Sequence, residues 1–242
     1  AFYSVFKQAD AHLRFVFLTG VTKFSQVSVF SGFNQPLDIS MTSRYDTLCG
    51  ITEEELHTQF AEPIHEMATS EGCSEEAIKE RLKQHYDGYH FSEKMTDIYN
   101  PFSILNAFFN QAIRDYWFTS GTPSYLIRLM NHYHEGIDQL ANNYYSLDAF
   151  INYKADVEYP LPMIYQSGYL TIKDYDKDMN LFLLDFPNDE VKKGFLAMIA
   201  ANYLQCNVQL ESWMPKAVFA LKRGMPEEFR KMLTSFLASI PY

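Results

Sequence analysis

FVFLTGVTKF, residues 15–24, joins four apolar residues to a small-residue turn and a basic side chain. A run of this kind is typical of a buried parallel strand, because helices cover both faces of such strands. In open α/β sheets, ligands bind in the crevice outside the carboxyl ends of the strands, where Thr19 and Gly20 would lie. The stretch therefore predicts the edge of a parallel sheet that faces a ligand crevice.

Residues 1–14 leave no room for the rest of a parallel sheet before this strand. The opening residues, AFYSVFK, are typical of the end of an amphipathic helix. We therefore expect the chain to be part of a larger protein.

The composition is that of a globular protein without a broad nucleic-acid surface. Of 242 residues, 47% are hydrophobic and 16% are aromatic, which is enough apolar material for a packed core. The formal net charge of −10 opposes binding to a phosphate backbone. We expect no nucleic acid to bind through this chain.

The three cysteines, Cys49, Cys73 and Cys206, form an odd set without C-x-x-C spacing. That pattern predicts reduced thiols in the cytoplasm rather than a disulfide framework or a zinc site. No apolar run approaches the ~20 residues that a membrane span requires, and no signal peptide is visible. The sequence therefore predicts a cytoplasmic protein without a membrane segment.

Capping signals predict a helical segment in the middle of the chain. Thr52 and Glu55 form a capping box, and Asn100-Pro101 is an N-cap followed by proline at the first helical position. Helices are predicted over residues 52–69, 74–85, 102–114, 122–132 and around 136–151. Together they predict a helical domain over residues 51–157.

Residues 158–242 have a different order of elements. A short helix over residues 161–167 precedes two predicted strands, residues 169–173 and 181–184. Asn188-Asp189-Glu190 then predicts the start of a long helix. Helix, hairpin and helix is the plan of a winged-helix unit, and residues 224–226 separate two further helices. The whole sequence predicts a mostly α protein of the α+β class.

The polar residues after the first predicted strand are candidates for phosphate chemistry. A hydroxyl of Thr19 or Thr22 could hydrogen-bond a γ-phosphate or orient its attacking water, and Lys23 could neutralise charge. A simple strand-to-loop turn is the alternative interpretation.

Two other groups of residues have a chemical and a structural interpretation. His85 and His90 flank Asp87, so an Asp–His pair could do acid–base work, or the phrase could form an aromatic turn. Glu190-Val191-Lys192 matches the end of a nuclease signature, but its position at a helix start favours capping. No spacing in the sequence predicts a metal site.

Five phrases in this chain together resemble one family. They are FLTGVTKF at 17–24, YDGYHF at 86–91, YNPFS at 99–103, GTP at 121–123 and YQSGYLTI at 165–172. The combination is similar to the predicted AAA-ATPase-like family that is abundant in Bacteroides-type gut bacteria. The likeness extends from the first predicted strand through residues 186–188.

The resemblance implies a three-part protein: a P-loop ATPase core, a helical lid with a winged-helix unit, and a C-terminal PD-(D/E)xK nuclease-like domain. This chain would hold residues 1–50 as the end of the P-loop ATPase sheet, 51–157 as the lid, and 158–242 as the winged-helix-like unit with C-terminal helices. The phosphate-binding loop and the magnesium-binding acid would precede it. ATP and Mg²⁺ would therefore bind to the intact protein, and the chain alone is expected to bind neither well.

The resemblance also implies roles for single residues. Thr19 matches the sensor position of the ATPase sheet and, with Lys23, is a catalytic candidate. Thr22 and Asn100-Pro101 are candidates for nucleotide binding, the latter by similarity to a Gly-x-Pro lid motif whose proline packs near adenine, with Tyr99 in place of the glycine.

The expected function is regulatory: the chain would pass the nucleotide state of the core to the nuclease-like effector and would hydrolyse nothing itself. Its partners would be those two missing domains, with a homo-oligomer also possible. A winged-helix nucleic-acid-binding module and a structural protein-interaction domain are the alternatives.

Overall fold

A computed structural model describes residues 4–20, 37–118, 137–151, 159–204 and 207–238. The chain divides into two compact units, Ala1–Gly194 and Phe195–Tyr242. Helical residues greatly outnumber strand residues within the described ranges, which confirms the predicted α+β class with helix in excess. The predicted boundaries at residues 50 and 157 stay predictions.

The helices of the first unit are α1 (Ser4–Gln8), α2 (Glu53–Gln59), α3 (Ala61–Glu71), α4 (Glu75–Tyr86), α5 (Pro101–Asn110), α6 (Leu147–Ile151) and α7 (Leu161–Gln166). The strands are β1 (Ile51–Thr52), β2 (Ile98–Tyr99), β3 (Asn143–Tyr145), β4 (Thr171–Asp176) and β5 (Leu181–Asp185). Helix α8 (Asp189–Leu204) begins in the first unit and crosses the division, and α9 (Asn207–Lys222) and α10 (Pro226–Ala238) follow.

The predicted helix starts at Thr52, Ser74 and Asn100 are confirmed. The Thr52 hydroxyl accepts the Glu55 amide at 3.2 Å, while the Glu55 carboxylate accepts the Thr52 amide at 2.9 Å. The single helix predicted over residues 52–69 is instead two helices, broken at Phe60. Proline lacks an amide hydrogen, so the restart places Pro63 in the first turn of α3, where no intrahelical donor is needed.

The main apolar cluster of the first unit comes from α2 to α5 and β2. It contains the buried side chains of Leu56, Ile64, Met67, Ala68, Ile78, Leu82, Tyr86, Tyr99, Ile104, Ala107 and Phe108. Burial of its apolar side chains in this cluster is the chief contribution to the stability of each helix, since short helices are only marginally stable by themselves.

The predicted hairpin is confirmed and belongs to a three-stranded antiparallel sheet of order β3-β5-β4. The continuous helix predicted around residues 136–151 is wrong. This segment contains a 3₁₀ turn at Ile137–Leu140, then strand β3, then the short helix α6. Asn142 adopts a left-handed φ of 58° and its amide donates to the Leu184 carbonyl at 2.7 Å. The turn therefore ends there and the chain pairs with β5.

The buried strand predicted at residues 15–18 is wrong for this chain. Residues 15–20 form neither helix nor strand, and Phe15 is 79% exposed and Phe17 52%. A parallel strand needs neighbouring strands for its backbone hydrogen bonds, and no described strand pairs with this segment. Thr22, Lys23 and the helix predicted over 122–132 lie outside the described residues.

In the second unit, the predicted helices on either side of residues 224–226 are confirmed as α9 and α10. The ring of Trp213 stacks on Phe236 at 4.8 Å, and its indole N–H donates to the Met232 carbonyl at 3.1 Å. Across the part of the chain that the structure describes, no helix is long and apolar enough to cross a membrane.

Candidate functional site

A cavity of about 450 Å³ lies in the first unit. Its aromatic lining residues are Tyr89, Phe91, Tyr99, Trp117 and Tyr165, and its polar ones are Ser40, Cys49, His90, Asn100, Gln166, Ser167 and Thr171. None of the lining residues within the described ranges is a lysine, arginine, aspartate or glutamate. Such a lining suits a flat, uncharged group that has polar atoms at its edge.

Four of the five phrases that resemble the ATPase-like family meet at this cavity. Gly20 comes from the first phrase, and the others contribute residues from within 89–91, 99–101 and 165–171. The fifth phrase, residues 121–123, lies outside the described residues. Segments that are more than 140 residues apart along the chain therefore line one cavity.

Asn100 and Pro101, the residues predicted to form a lid motif, both line the cavity. Asn100 is also the N-cap of α5, because its side-chain oxygen Oδ1 accepts the backbone amides of Phe102 at 3.0 Å and Ser103 at 3.3 Å. Its side chain further hydrogen-bonds the Tyr89 hydroxyl. Asn100 thus fixes the start of α5 and one cavity wall, and its contact with a nucleotide stays a prediction.

The predicted catalytic residues are not assembled with a phosphate site in the described structure. Thr19 is exposed and immediately precedes the cavity-lining Gly20. Thr22 and Lys23 lie outside the described residues. Their roles stay predictions.

His90 fastens the YDGYHF phrase to the start of β4. The His90 amide donates to the Thr171 hydroxyl at 2.8 Å, and that hydroxyl donates back to the His90 carbonyl at 3.0 Å. The ring Nδ1 donates to the Ile172 carbonyl at 2.5 Å, and Nε2 lies 2.7 Å from the Asp97 carboxylate. His90 is therefore an oriented structural group in the cavity lining.

Gly88 and Lys173 form a second link between the same segments. The Lys173 ammonium donates to the carbonyls of Gly88 at 2.8 Å and Pro187 at 2.9 Å. Burial lowers the pKa of Lys173, while nearby Asp97, Asp87 and Asp185 oppose that change. These contacts join residues on either side of the predicted boundary at 157 within one compact unit.

Asp87 pairs with neither neighbouring histidine, so the proposed Asp–His pair is wrong. His85 Nε2 instead lies 2.8 Å from Asp115, and His90 bonds as described above. Asp87 is 3% exposed, and its Oδ1 has no hydrogen-bond partner among the described residues. Burial raises the pKa of Asp87 to about 6.

Glu190 is a structural residue of this site that the sequence did not predict. It is fully buried, and its carboxylate accepts the Ser103 hydroxyl at 2.8 Å and the Trp117 amide at 2.6 Å. Burial raises the pKa of Glu190, although these hydrogen bonds and one from the Phe118 amide oppose the rise. Its position at a helix start was visible, but partners 73 and 87 residues away were not.

The described residues contain no group of three or more His, Cys, Asp or Glu side chains arranged to hold a metal ion. The hairpin that would form the wing has Asp174, Asp176 and Asp178 against Lys173 and Lys177. Because the Lys173 ammonium bonds two backbone carbonyls, only Lys177 is an exposed cation there. The hairpin is poorly suited to contact phosphates.

Comparison with known proteins adds one relative. A protein of Azotobacter chroococcum mcd 1, named "Uncharacterized protein in vnfD 5′region", is 32% identical to this chain over 245 residues. The match covers 99% of this chain and 45% of that protein, so the chain spans a little under half the length of the relative. No family model and no solved structure matches the chain.

Proposed function

We propose that this chain is the lid part of a larger cytoplasmic ATPase and that its cavity receives the adenine base of the nucleotide. The observation that carries the proposal is the meeting of four family-like phrases, including Asn100-Pro101, at one aromatic cavity. The larger size of the Azotobacter relative is consistent with further domains. Two described cysteines, Cys49 and Cys73, are free and exposed, which suits a reducing compartment.

The cavity has the shape and chemistry that a base requires. The aromatic residues Phe91, Trp117 and Tyr165 line the cavity and are only partly buried, and base–aromatic stacking contributes roughly 1–3 kcal/mol per base. Asn100, Gln166 and Ser167 place polar groups in the lining. An adenine ring needs both kinds of surface, because its faces are apolar and its edge is polar.

The phosphates of the nucleotide do not fit the same lining. No lysine or arginine among the described residues lines the cavity, and the net charge of the chain is −10. A triphosphate needs a cradle of backbone amides and a lysine, usually at the start of a helix. In this proposal the ATPase core outside this chain supplies that cradle and the magnesium-binding acid.

Nucleotide state would then pass from the base cavity to a C-terminal nuclease-like effector through α7, the β4–β5 hairpin and α8. The order of these elements fits a winged-helix unit used for coupling rather than for nucleic-acid binding. The link between β4 and the YDGYHF phrase through His90 supports this route, since it joins the cavity lining directly to the hairpin.

The test uses the two tryptophans, one in each compact unit. In a Trp213→Phe background, Trp117 is the only tryptophan, so its fluorescence reports on the cavity. We expect adenosine and ATP to bind with similar dissociation constants near ~1 mM, because only the base is bound. Cytidine, with a smaller base, is the control and should bind more weakly.

Two results would contradict the proposal. One is the absence of any saturable Trp117 response to adenosine at several times the expected dissociation constant. The other is low-micromolar binding of ATP with no matching binding of adenosine, which would show that this chain holds the phosphates itself.

A further inference from the structure

We propose that Glu190 is the positioning residue of the cavity: it sets the place of the Trp117 ring and thereby the affinity for a planar ligand. The inference rests on the proposed function for the identity of that ligand. Its structural part, the dependence of Trp117 on Glu190, can be tested without any ligand.

A single carboxylate holds two sides of the cavity together. One oxygen of Glu190 accepts the hydroxyl of Ser103, which lies in the first turn of α5 two residues after Pro101. The other oxygen accepts the amide of Trp117, whose ring lines the cavity, and the Phe118 amide also donates to this carboxylate. Glu190 therefore fixes the distance between the lid motif and the Trp117 wall.

A second residue of α8 contacts the same segment. Gly194 lies one turn after Glu190, and a Cβ placed there would collide with the ring of Phe118. Both rings also contact the ring of Tyr169, with centroid distances of 6.2 Å for Phe118 and 5.3 Å for Trp117. The first two turns of α8 thus hold residues 117–118 in two ways: the Glu190 carboxylate bonds their amides, and Gly194 leaves room for the Phe118 ring. We call this pair of contacts the clamp.

Hydrogen bonding, rather than simple space filling, explains why the clamp uses a buried acid. Burying a carboxylate costs free energy unless its oxygens accept hydrogen bonds. At least three donors bond the Glu190 carboxylate: the Ser103 hydroxyl and the amides of Trp117 and Phe118. Without it, the same three donors would lose this acceptor. A movement of Trp117 on ligand binding must therefore act on Glu190 and on the start of α8.

The experiment compares two substitutions of nearly equal size in the Trp213→Phe background. Glu190→Gln keeps an oxygen for the Trp117 amide and can donate to Ser103, whereas Glu190→Met fills the space without an acceptor. Asp189→Asn is the matched control, since Asp189 is the neighbouring acid in the same turn and its carboxylate accepts the Lys193 ammonium at 3.0 Å.

Without ligand, we expect Trp117 emission to shift to longer wavelength and acrylamide quenching to increase in Glu190→Met. Glu190→Gln and Asp189→Asn should leave both signals unchanged. With adenosine, Glu190→Met should bind roughly fivefold or more weakly, while Glu190→Gln stays close to the parent chain. Adenosine should also slow hydrogen exchange at amides 191–194 in the parent chain and in Glu190→Gln.

If Glu190→Met does not fold, Gly194→Ala tests the other half of the clamp, because it displaces Phe118 and leaves Glu190 intact. An unchanged Trp117 signal in folded Glu190→Met, or unchanged signals in Gly194→Ala, would overturn the inference. Equal adenosine affinity in Glu190→Met and Glu190→Gln would do the same. If Glu190→Met changes the Trp117 signal but the parent chain binds no adenosine, the clamp is supported and only the proposed function is contradicted.

Discussion

Replacing Gly88 by alanine should damage the fold at the point where the YDGYHF phrase meets the hairpin. Gly88 has a φ of 89°, in the left-handed region that residues with a Cβ rarely adopt. A Cβ at this position would also collide with the Pro187 carbonyl oxygen and lie 2.8 Å from the Lys173 ammonium nitrogen. That ammonium donates hydrogen bonds to the Gly88 and Pro187 carbonyls, so we expect the substitution to disturb both of these bonds.

The expected loss can be divided into a backbone part and a contact part. The left-handed conformation costs an alanine about 1–2 kcal/mol, partly offset by about 0.4–1 kcal/mol from the less flexible unfolded chain. Hydrogen bonds to a charged group contribute about 1.5–3 kcal/mol, and at least one of the Lys173 bonds should be lost. We therefore expect Gly88→Ala to lower the free energy of unfolding by about 2–4.5 kcal/mol.

Gly72→Ala is the matched control, because Gly72 has a φ of 65° and no described residue lies within 4 Å of its Cβ position. It should lose only the backbone part, about 0.5–1.5 kcal/mol. Urea unfolding followed by Trp117 in the Trp213→Phe background measures the first unit for both variants. Losses of stability that agree to within about 0.5 kcal/mol between the two variants would show that the contact part is absent and would refute the expected difference.

Three further predictions concern single side chains. Because the pKa of buried Asp87 is raised to about 6 in the folded chain from 3.8, the unfolding free energy should fall by up to about 3 kcal/mol as the pH rises from about 4 through 6. Asp87→Asn should remove that fall. In urea unfolding, the free energy of unfolding of the variant relative to the parent chain should therefore be higher at pH 7 than at pH 4, and an equal difference at the two pH values would contradict the prediction. Thr52→Ala should cost about 1 kcal/mol by loss of the capping box, whereas Thr58→Ala, within α2, should change stability by less than about 0.5 kcal/mol in the same assay. Thr19→Val should leave the stability of this chain within about 0.5 kcal/mol, because the side chain is exposed, yet lower ATP turnover of a longer protein by roughly ten- to a thousandfold if the hydroxyl is a sensor. Unaltered turnover in that protein would leave Thr19 without a catalytic role.

Local signals in the sequence were enough to place most helices and the hairpin. Caps at Thr52, Ser74 and Asn100 act within three residues, so their effect is visible in the sequence itself. The β4–β5 hairpin is also a local pairing, closed by residues 177–180. Strand β3 has no such signal, because its pairing with β5 depends on residues about 40 positions away.

The candidate site could be predicted only in pieces. The sequence indicated that Asn100-Pro101 and the YDGYHF phrase matter, but their common cavity depends on long-range contacts such as His90 with Thr171. The acid partners of His85 and His90 are Asp115 and Asp97, which lie 30 and 7 residues away along the chain, so the adjacent Asp87 was a misleading signal. Residues 15–18 show the opposite error, since an apolar run predicts a strand only where neighbouring strands exist.

The main apolar cluster has a consequence for the order in which the chain folds during synthesis. All its buried members lie between Leu56 and Phe108, and β1 pairs with β2 in the same part of the chain. Because the buried members of the cluster come from one continuous stretch of chain, the cluster can form once the ribosome has released that stretch. Trp117 and residues 165–171 emerge later, so the ligand cavity is completed only when the hairpin segment closes onto a core that already exists.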